Sequence, residues 1–198
     1  VCSSDLPVRL FLSGNEAVAL AVRDAGCRVA AAYPGTPSTE ILEALAREPH
    51  PGLYTEWSVN EKVSLEVALG ASMVGARAFC AMKHVGLNVA ADALMTITVT
   101  GSEGGLVIAV ADDVGMSSSQ NEQDSRYWGR FAHLPLLEPA DAQESYDMAR
   151  AAFDLSERFS CPVIVRLTTR VCHVKGRVIP GTPERHEPRG FVKDPRRW

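Results

Sequence analysis

Apolar positions along this chain fall into two alternating patterns. Short apolar-rich runs at residues 29–33, 53–56, 76–82, 106–111, 134–137 and 163–167 read as buried strands. Between them, apolar residues recur with helical spacing, and polar start and stop signals bracket each stretch. Ser13-Gly14-Asn15-Glu16 opens a helix through about Ala25, and Gly26 stops it. Thr36 is the expected N-cap of the next helix, with Pro37 at its first position and residues 38–47 continuing it. Ser58 and Glu61 have capping-box spacing and open a helix to about Val74. Ala68, Gly70, Ala71, Ser72, Gly75 and Ala76 make one side of this segment very small. Lys83-His84-Val85-Gly86 reads as a turn into a helix over 88–99, and a shorter helix is expected near 123–131. Asp141 and Glu144 form a second box, whose helix runs to Phe159 before the breaker Pro162.

Alternation of strands and helices predicts an α/β protein in three layers: a mainly parallel sheet of about six strands with helices on both faces. Ligands of such sheets bind beyond the carboxyl ends of the strands. Four polar segments fall there, at 33–38, 57–61, 82–88 and 112–126. After Thr169 the chain turns polar and rich in Pro and Gly, which predicts a linker over 171–198. Residues 1–11 are expected to be a non-native or disordered leader, since Val1-Cys2-Ser3-Ser4-Asp5-Leu6 resembles a translated library adapter. Both ends read as cut, so the chain is expected to be a piece of a longer polypeptide.

Composition narrows the function classes. With 198 residues, 46% hydrophobic and 22% charged, the chain is long enough for one domain with a real core. The net charge of −4 and the scattered basic residues give no nucleic-acid footprint, and no apolar run is long enough to cross a membrane. The 5 cysteines include no C-x-x-C pair, which argues against a disulfide framework, a zinc site or an iron–sulfur cluster held by this chain alone. Reduced thiols in a cytoplasm are the expectation. Dinucleotide-binding, P-loop and nucleophile-elbow signatures are all missing.

The carboxyl-edge segments hold the candidate chemistry, and each admits two readings. Glu61 either caps its own helix or is a buried carboxylate aimed at a cofactor. His84, beside Lys83, is either solvated or in contact with a substrate or bound diphosphate. Asp112 and Asp113 are either solvated acids or a metal pair. Ser117-Ser118-Ser119-Gln120-Asn121-Glu122 is either a plain turn or a binding loop.

Taken together, the motifs resemble a family. Tyr33-Pro34-Gly35-Thr36-Pro37-Ser38-Thr39-Glu40 is similar to the Y-P-x-T-P-S-[ST] segment of 2-oxoacid:ferredoxin oxidoreductases. Asn60-Glu61-Lys62, Met82-Lys83-His84-Val85-Gly86-Leu87-Asn88-Val89 and Ser118-Ser119-Gln120-Asn121-Glu122-Gln123-Asp124-Ser125-Arg126 resemble the alpha subunits of its indolepyruvate branch. Val114 stands where that branch has proline. The resemblance implies that residues 12–170 form the pyrimidine-binding domain of a thiamine diphosphate enzyme. It implies that Glu61 hydrogen-bonds N1′ of the aminopyrimidine, that Thr36 lies near the substrate carbonyl, and that Pro34, Lys83, His84, Gln120 and Asn121 lie in the substrate or cofactor vicinity. The implied reaction is oxidative decarboxylation of an arylpyruvate with coenzyme A and ferredoxin, alongside a beta subunit. The G-D-G…N segment that holds magnesium diphosphate is missing here, so Mg2+ and the [4Fe-4S] clusters are expected on other parts, and the fragment alone is expected to be inactive. Two rivals are a subunit acting on pyruvate, 2-oxoglutarate or a branched-chain acid, and a non-catalytic assembly domain.

Overall fold

The structure is a computed structural model and describes residues 8–48, 50–191, 193 and 195. In chain order its elements are β1 (Leu10–Ser13), α1 (Gly14–Asp24), β2 (Val29–Ala32), α2 (Thr39–Arg47), β3 (Tyr54–Trp57), α3 (Glu61–Met73), β4 (Ala78–Lys83) and α4 (His84–Val89). They continue as α5 (Ala91–Thr100), β5 (Leu106–Asp112), α6 (Arg126–Phe131), β6 (Leu136–Leu137), α7 (Ala142–Phe159), β7 (Val163–Thr168), α8 (Thr169–His173) and β8 (Lys175–Val178).

Six strands form one sheet in the order β3-β2-β4-β5-β7-β6, and every neighbouring pair is parallel. The α/β expectation is met. Period-2 alternation sorts the strand side chains between two cores. On one face Phe79, Ala109 and Val165 meet Val18, Leu42 and Phe153 from α1, α2 and α7. On the other, Met82, Ile108 and Ile164 meet Leu65, Leu87 and Leu94 from α3, α4 and α5. Central β5 is buried at every position, which is why it reads as an unbroken apolar run. The sheet tapers toward its rims: β5 has 7 residues, β3 has 4 and β6 only 2.

Local signals explain where the helices begin, and two differ from expectation. The Ser13–Glu16 capping box forms as read. At α3 the cap is Asn60, not Ser58: Asn60 Oδ1 accepts from the Val63 N–H at 2.9 Å, and its backbone is extended at φ −163°, ψ 175°. Ser58 instead donates to Glu56 Oε1 at 2.8 Å. At α2, Thr36 is not the cap and Pro37 is not the first helical residue: the helix starts at Thr39, with Ser38 in the cap position. Thr39 Oγ1 accepts from the Gly35 N–H at 2.9 Å and closes the turn. His84 begins α4 directly, with no intervening turn.

Both expected boundaries shift. Leu10 and Phe11, placed in the leader, belong to β1, which pairs antiparallel with β8 from the expected linker, Leu10 opposite Val178. Residues 1–7 of that leader lie outside the described residues. Beyond β8 the described residues form no regular element, yet they are anchored along the amino ends of the strands. The Glu184 N–H donates to Asp24 O at 2.7 Å, and the Gly190 N–H donates to Val74 O at 3.0 Å. Arg77, only 5% exposed, holds Glu157, Asp154 and Glu184 together. Composition did not show these anchors because the partners are remote in sequence.

Candidate functional site

The carboxyl ends of β2, β3, β4, β5 and β7 converge on one edge, and the loops there interlock. Lys83 leaves the end of β4, and its aliphatic stem lies across Gly35, where an added Cβ would come within 3.0 Å of Lys83 Cδ. Its ammonium donates to Ser118 O at 3.3 Å. Ser118 Oγ in turn donates to Thr36 O at 3.4 Å. Thr36, Lys83 and Ser118 thus form one cluster from three loops. Among the described residues, Lys83 Nζ has no carboxylate at ion-pair distance, so its charge is free for a ligand.

Asp112 and Asp113 are neither solvated nor open for a metal. They are 0% and 1% exposed, and protein donors occupy their oxygens. Asp112 accepts from Arg166 Nε at 2.8 Å and from the Ser125 N–H at 3.0 Å. Asp113 accepts from the N–H groups of Ser117 and Ser118 at 3.2 and 2.7 Å, from Ser119 Oγ at 2.7 Å and from Thr169 Oγ1 at 3.1 Å. Burial opposes the charge of Asp113, but hydrogen bonds from Ser118, Ser119, Thr169 and Ser117 outweigh it and hold the carboxyl at about 2. Asp113 therefore anchors the 114–122 loop as a fixed anion. Among the described residues no group of His, Cys, Asp and Glu is arranged to hold a metal.

His84 is also a tie. It is 0% exposed; its Nδ1 accepts from the Asp113 N–H at 3.3 Å and its Nε2 faces Asn121 O at 3.0 Å. Both ring nitrogens are engaged with backbone, so the ring joins the start of α4 to the loop and is not offered to a ligand. Asn121 contributes its carbonyl there, while its side chain accepts from Gln123 Nε2 at 2.9 Å. Gln120, Pro34 and Thr36 are exposed at the rim.

Glu61 is the exception. It is the first residue of α3, at the carboxyl edge just past β3, and only 9% exposed. Among the described residues its carboxylate has no hydrogen-bond partner, in contrast to Asp112 and Asp113. Its oxygens lie against Gly86 of α4, where an added Cβ would meet Oε1 at 2.6 Å. Close by is Cys80, a buried thiol held by Ser64 Oγ at 3.1 Å; burial, eased by Ser64 but reinforced by the charge of Glu61, pushes it up to about 12. A carboxylate at a helix start, largely buried and without a protein partner, is placed to hydrogen-bond a ligand at this edge. Such a group fits an aminopyrimidine ring, whose N1′ needs a carboxyl at its edge.

Sequence reasoning missed Arg166 and Thr169 as parts of this edge. Arg166 sits mid-strand in β7, 5% exposed, and reaches both Asp112 and Glu138. An arginine inside an apolar strand run was the available signal.

These features define a doubly covered parallel α/β domain whose carboxyl edge carries a carboxylate without a hydrogen-bond partner and, on a separate element, an ammonium without an ion-pair partner. The chain belongs to the pyruvate flavodoxin/ferredoxin oxidoreductase, thiamine diphosphate-binding family, whose model matches residues 20–195. It is 51% identical over 194 residues to the indolepyruvate oxidoreductase subunit IorA of Methanothermobacter thermautotrophicus, covering 96% of this chain and 31% of that protein. The IorA of Pyrococcus abyssi is 47% identical over 197 residues, with 96% and 30% covered. The chain thus spans about a third of the length of the curated relatives it matches. Its fold matches a 2-oxoglutarate:ferredoxin oxidoreductase from Magnetococcus marinus with 2-oxoglutarate, coenzyme A and succinyl-CoA bound: TM-score 0.79, 22% identity, 88% of this chain and 32% of that one. No helix among the described residues is long and apolar enough to cross a membrane.

Proposed function

We propose that this chain supplies the pyrimidine half of a thiamine diphosphate site in an arylpyruvate:ferredoxin oxidoreductase, with Glu61 as the catalytic carboxyl at N1′. The observation that carries this reading is the Glu61 carboxylate, buried at the carboxyl edge without a partner in a chain of this family. Thiamine diphosphate, when bound, supplies an acidic C2–H and an electron sink for decarboxylating a 2-oxoacid. Glu61 would hold a proton at N1′ of the bound aminopyrimidine and so fix that ring's orientation and tautomer. Lys83, a cation without a carboxylate partner, attracts the 2-oxoacid carboxylate, and the exposed Thr36 beside it orients the substrate carbonyl. His84 and Asp113 keep the 114–122 loop in place next to them.

The overall reaction is arylpyruvate plus coenzyme A plus oxidised ferredoxin giving acyl-coenzyme A, CO2 and reduced ferredoxin. About half identity to two indolepyruvate subunits supports an aryl side chain, against 34% to the 2-oxoglutarate synthase subunit KorA of Methanocaldococcus jannaschii. Mg2+, the diphosphate contacts and the [4Fe-4S] clusters are assigned to polypeptide outside this sequence, including a beta subunit. The free buried thiols of Cys27, Cys80 and Cys172 suit a cytoplasmic setting.

The test is Glu61→Gln in the complete enzyme, read by NMR as C2 proton exchange of bound cofactor. Gln retains an acceptor oxygen but cannot share a proton, so exchange and turnover should both fall by about 10²–10⁴. Exchange at the wild-type rate would sink the assignment and leave the assembly-domain rival standing. A panel of 2-oxoacids on the wild type checks the side-chain preference.

A further inference from the structure

Residue 86 is glycine where the backbone does not demand one. It lies inside α4, is buried and has no positive φ, and alanine is the better helix former there by about 1 kcal/mol. Space sets the residue instead. A Cβ at Gly86 would lie 2.6 Å from Oε1, 2.7 Å from Cγ and 2.9 Å from Cδ of Glu61, and these are its three nearest atoms. All belong to one movable side chain. Helix α4 itself cannot retreat, because His84 ties its start to Asp113 and Asn121 and Leu87 is fully buried.

We propose that Gly86 is the positioning residue for Glu61: its missing side chain is the space that lets the carboxyl reach N1′. This rests on the reading of Glu61 as the carboxyl that serves the cofactor, and it adds the group that sets where that carboxyl points. A methyl group at position 86 leaves the fold intact and displaces the carboxyl. To restore ordinary contact at about 3.5 Å, Oε1 must retreat by close to 1 Å. A displacement of that size at a reacting group costs about 10²-fold in rate.

The experiment compares Gly86→Ala, Glu61→Gln and the double variant in the complete enzyme. Three readouts apply: a crystal structure without cofactor, the melting temperature, and C2 proton exchange of bound cofactor. In Gly86→Ala the Glu61 carboxyl should move by about 1 Å with melting unchanged or raised, and exchange should slow by about 10²-fold. In the Glu61→Gln background the added methyl should change exchange by no more than about twofold, since the two residues act as one unit. The proposal is overturned if Gly86→Ala leaves Glu61 in place and exchange at the wild-type rate. Equal slowing in both backgrounds, or loss of cooperative melting, also overturns it, because the glycine would then serve packing alone. If Glu61→Gln exchanges normally, the proposed function itself fails; if only Gly86→Ala does, this inference fails and that function stands.

Discussion

Asp113→Asn isolates the anion that fixes the candidate binding loop. Oδ2 of Asp113 accepts from the Ser118 N–H and Ser119 Oγ, and Oδ1 accepts from the Ser117 N–H and Thr169 Oγ1. Replacing either oxygen by NH2 points a donor at a backbone N–H that cannot turn away, although the hydroxyls can. Hydrogen bonds to a charged group contribute about 1.5–3 kcal/mol each. Linkage gives a second route: the fall from 3.8 to about 2 corresponds to roughly 2.5 kcal/mol in favour of the folded anion. Asn keeps most of these bonds and loses about one, so opening of the 114–122 loop should become easier by about 2 kcal/mol at neutral pH, which is roughly 30-fold faster amide exchange. The folded-state value lies below the unfolded one, so this stabilisation is complete above pH 3.8 and lost as pH falls through about 2. Hydrogen exchange read by mass spectrometry at pH 7 and pH 3 is the assay. About half of the difference should remain at pH 3. Equal protection of the Ser117 and Ser118 amides in both proteins at pH 7, or a difference that grows on acidification, refutes the reasoning.

Two further predictions concern the frame. Asn60→Ala should destabilise the fold by about 1 kcal/mol in denaturant titrations while Ser58→Ala costs less; the reverse order would restore the cap to Ser58. Arg166→Met should cost about 3–5 kcal/mol, because it leaves Asp112 buried without its ion-pair partner, and adding Asp112→Asn should recover part of that loss; strictly additive losses would mean the pair is not coupled.

What could be read from the chain depended on how local the determining contacts are. The Ser13–Glu16 box and the all-apolar β5 are specified within a few residues, and both form as expected. The Ser58–Glu61 spacing failed because two neighbouring side chains competed for the cap, and the extended backbone at Asn60 decided between them. Asp112 and Asp113 looked like surface acids, since Arg166 and Thr169, which neutralise or bind them, lie more than fifty residues away. His84 lost its apparent freedom for the same reason: its two partners arrive from the loop after β5. Glu61 was legible as a residue of interest, but its lack of a partner and the fit against Gly86 needed coordinates.

The taper of the sheet bears on how this chain behaves among copies of itself. A rim strand with free backbone groups invites a stray strand to zip onto it, and long, flat rims are where fibrils begin. Here one rim is a two-residue strand and the other a four-residue strand that carries the ionisable side chain of Glu56. Neither offers enough consecutive unpaired amides to template a foreign strand. The flanks of this sheet are thus poor sites for strand addition, and the side of the domain where chains of this fold meet ligands is the carboxyl edge instead.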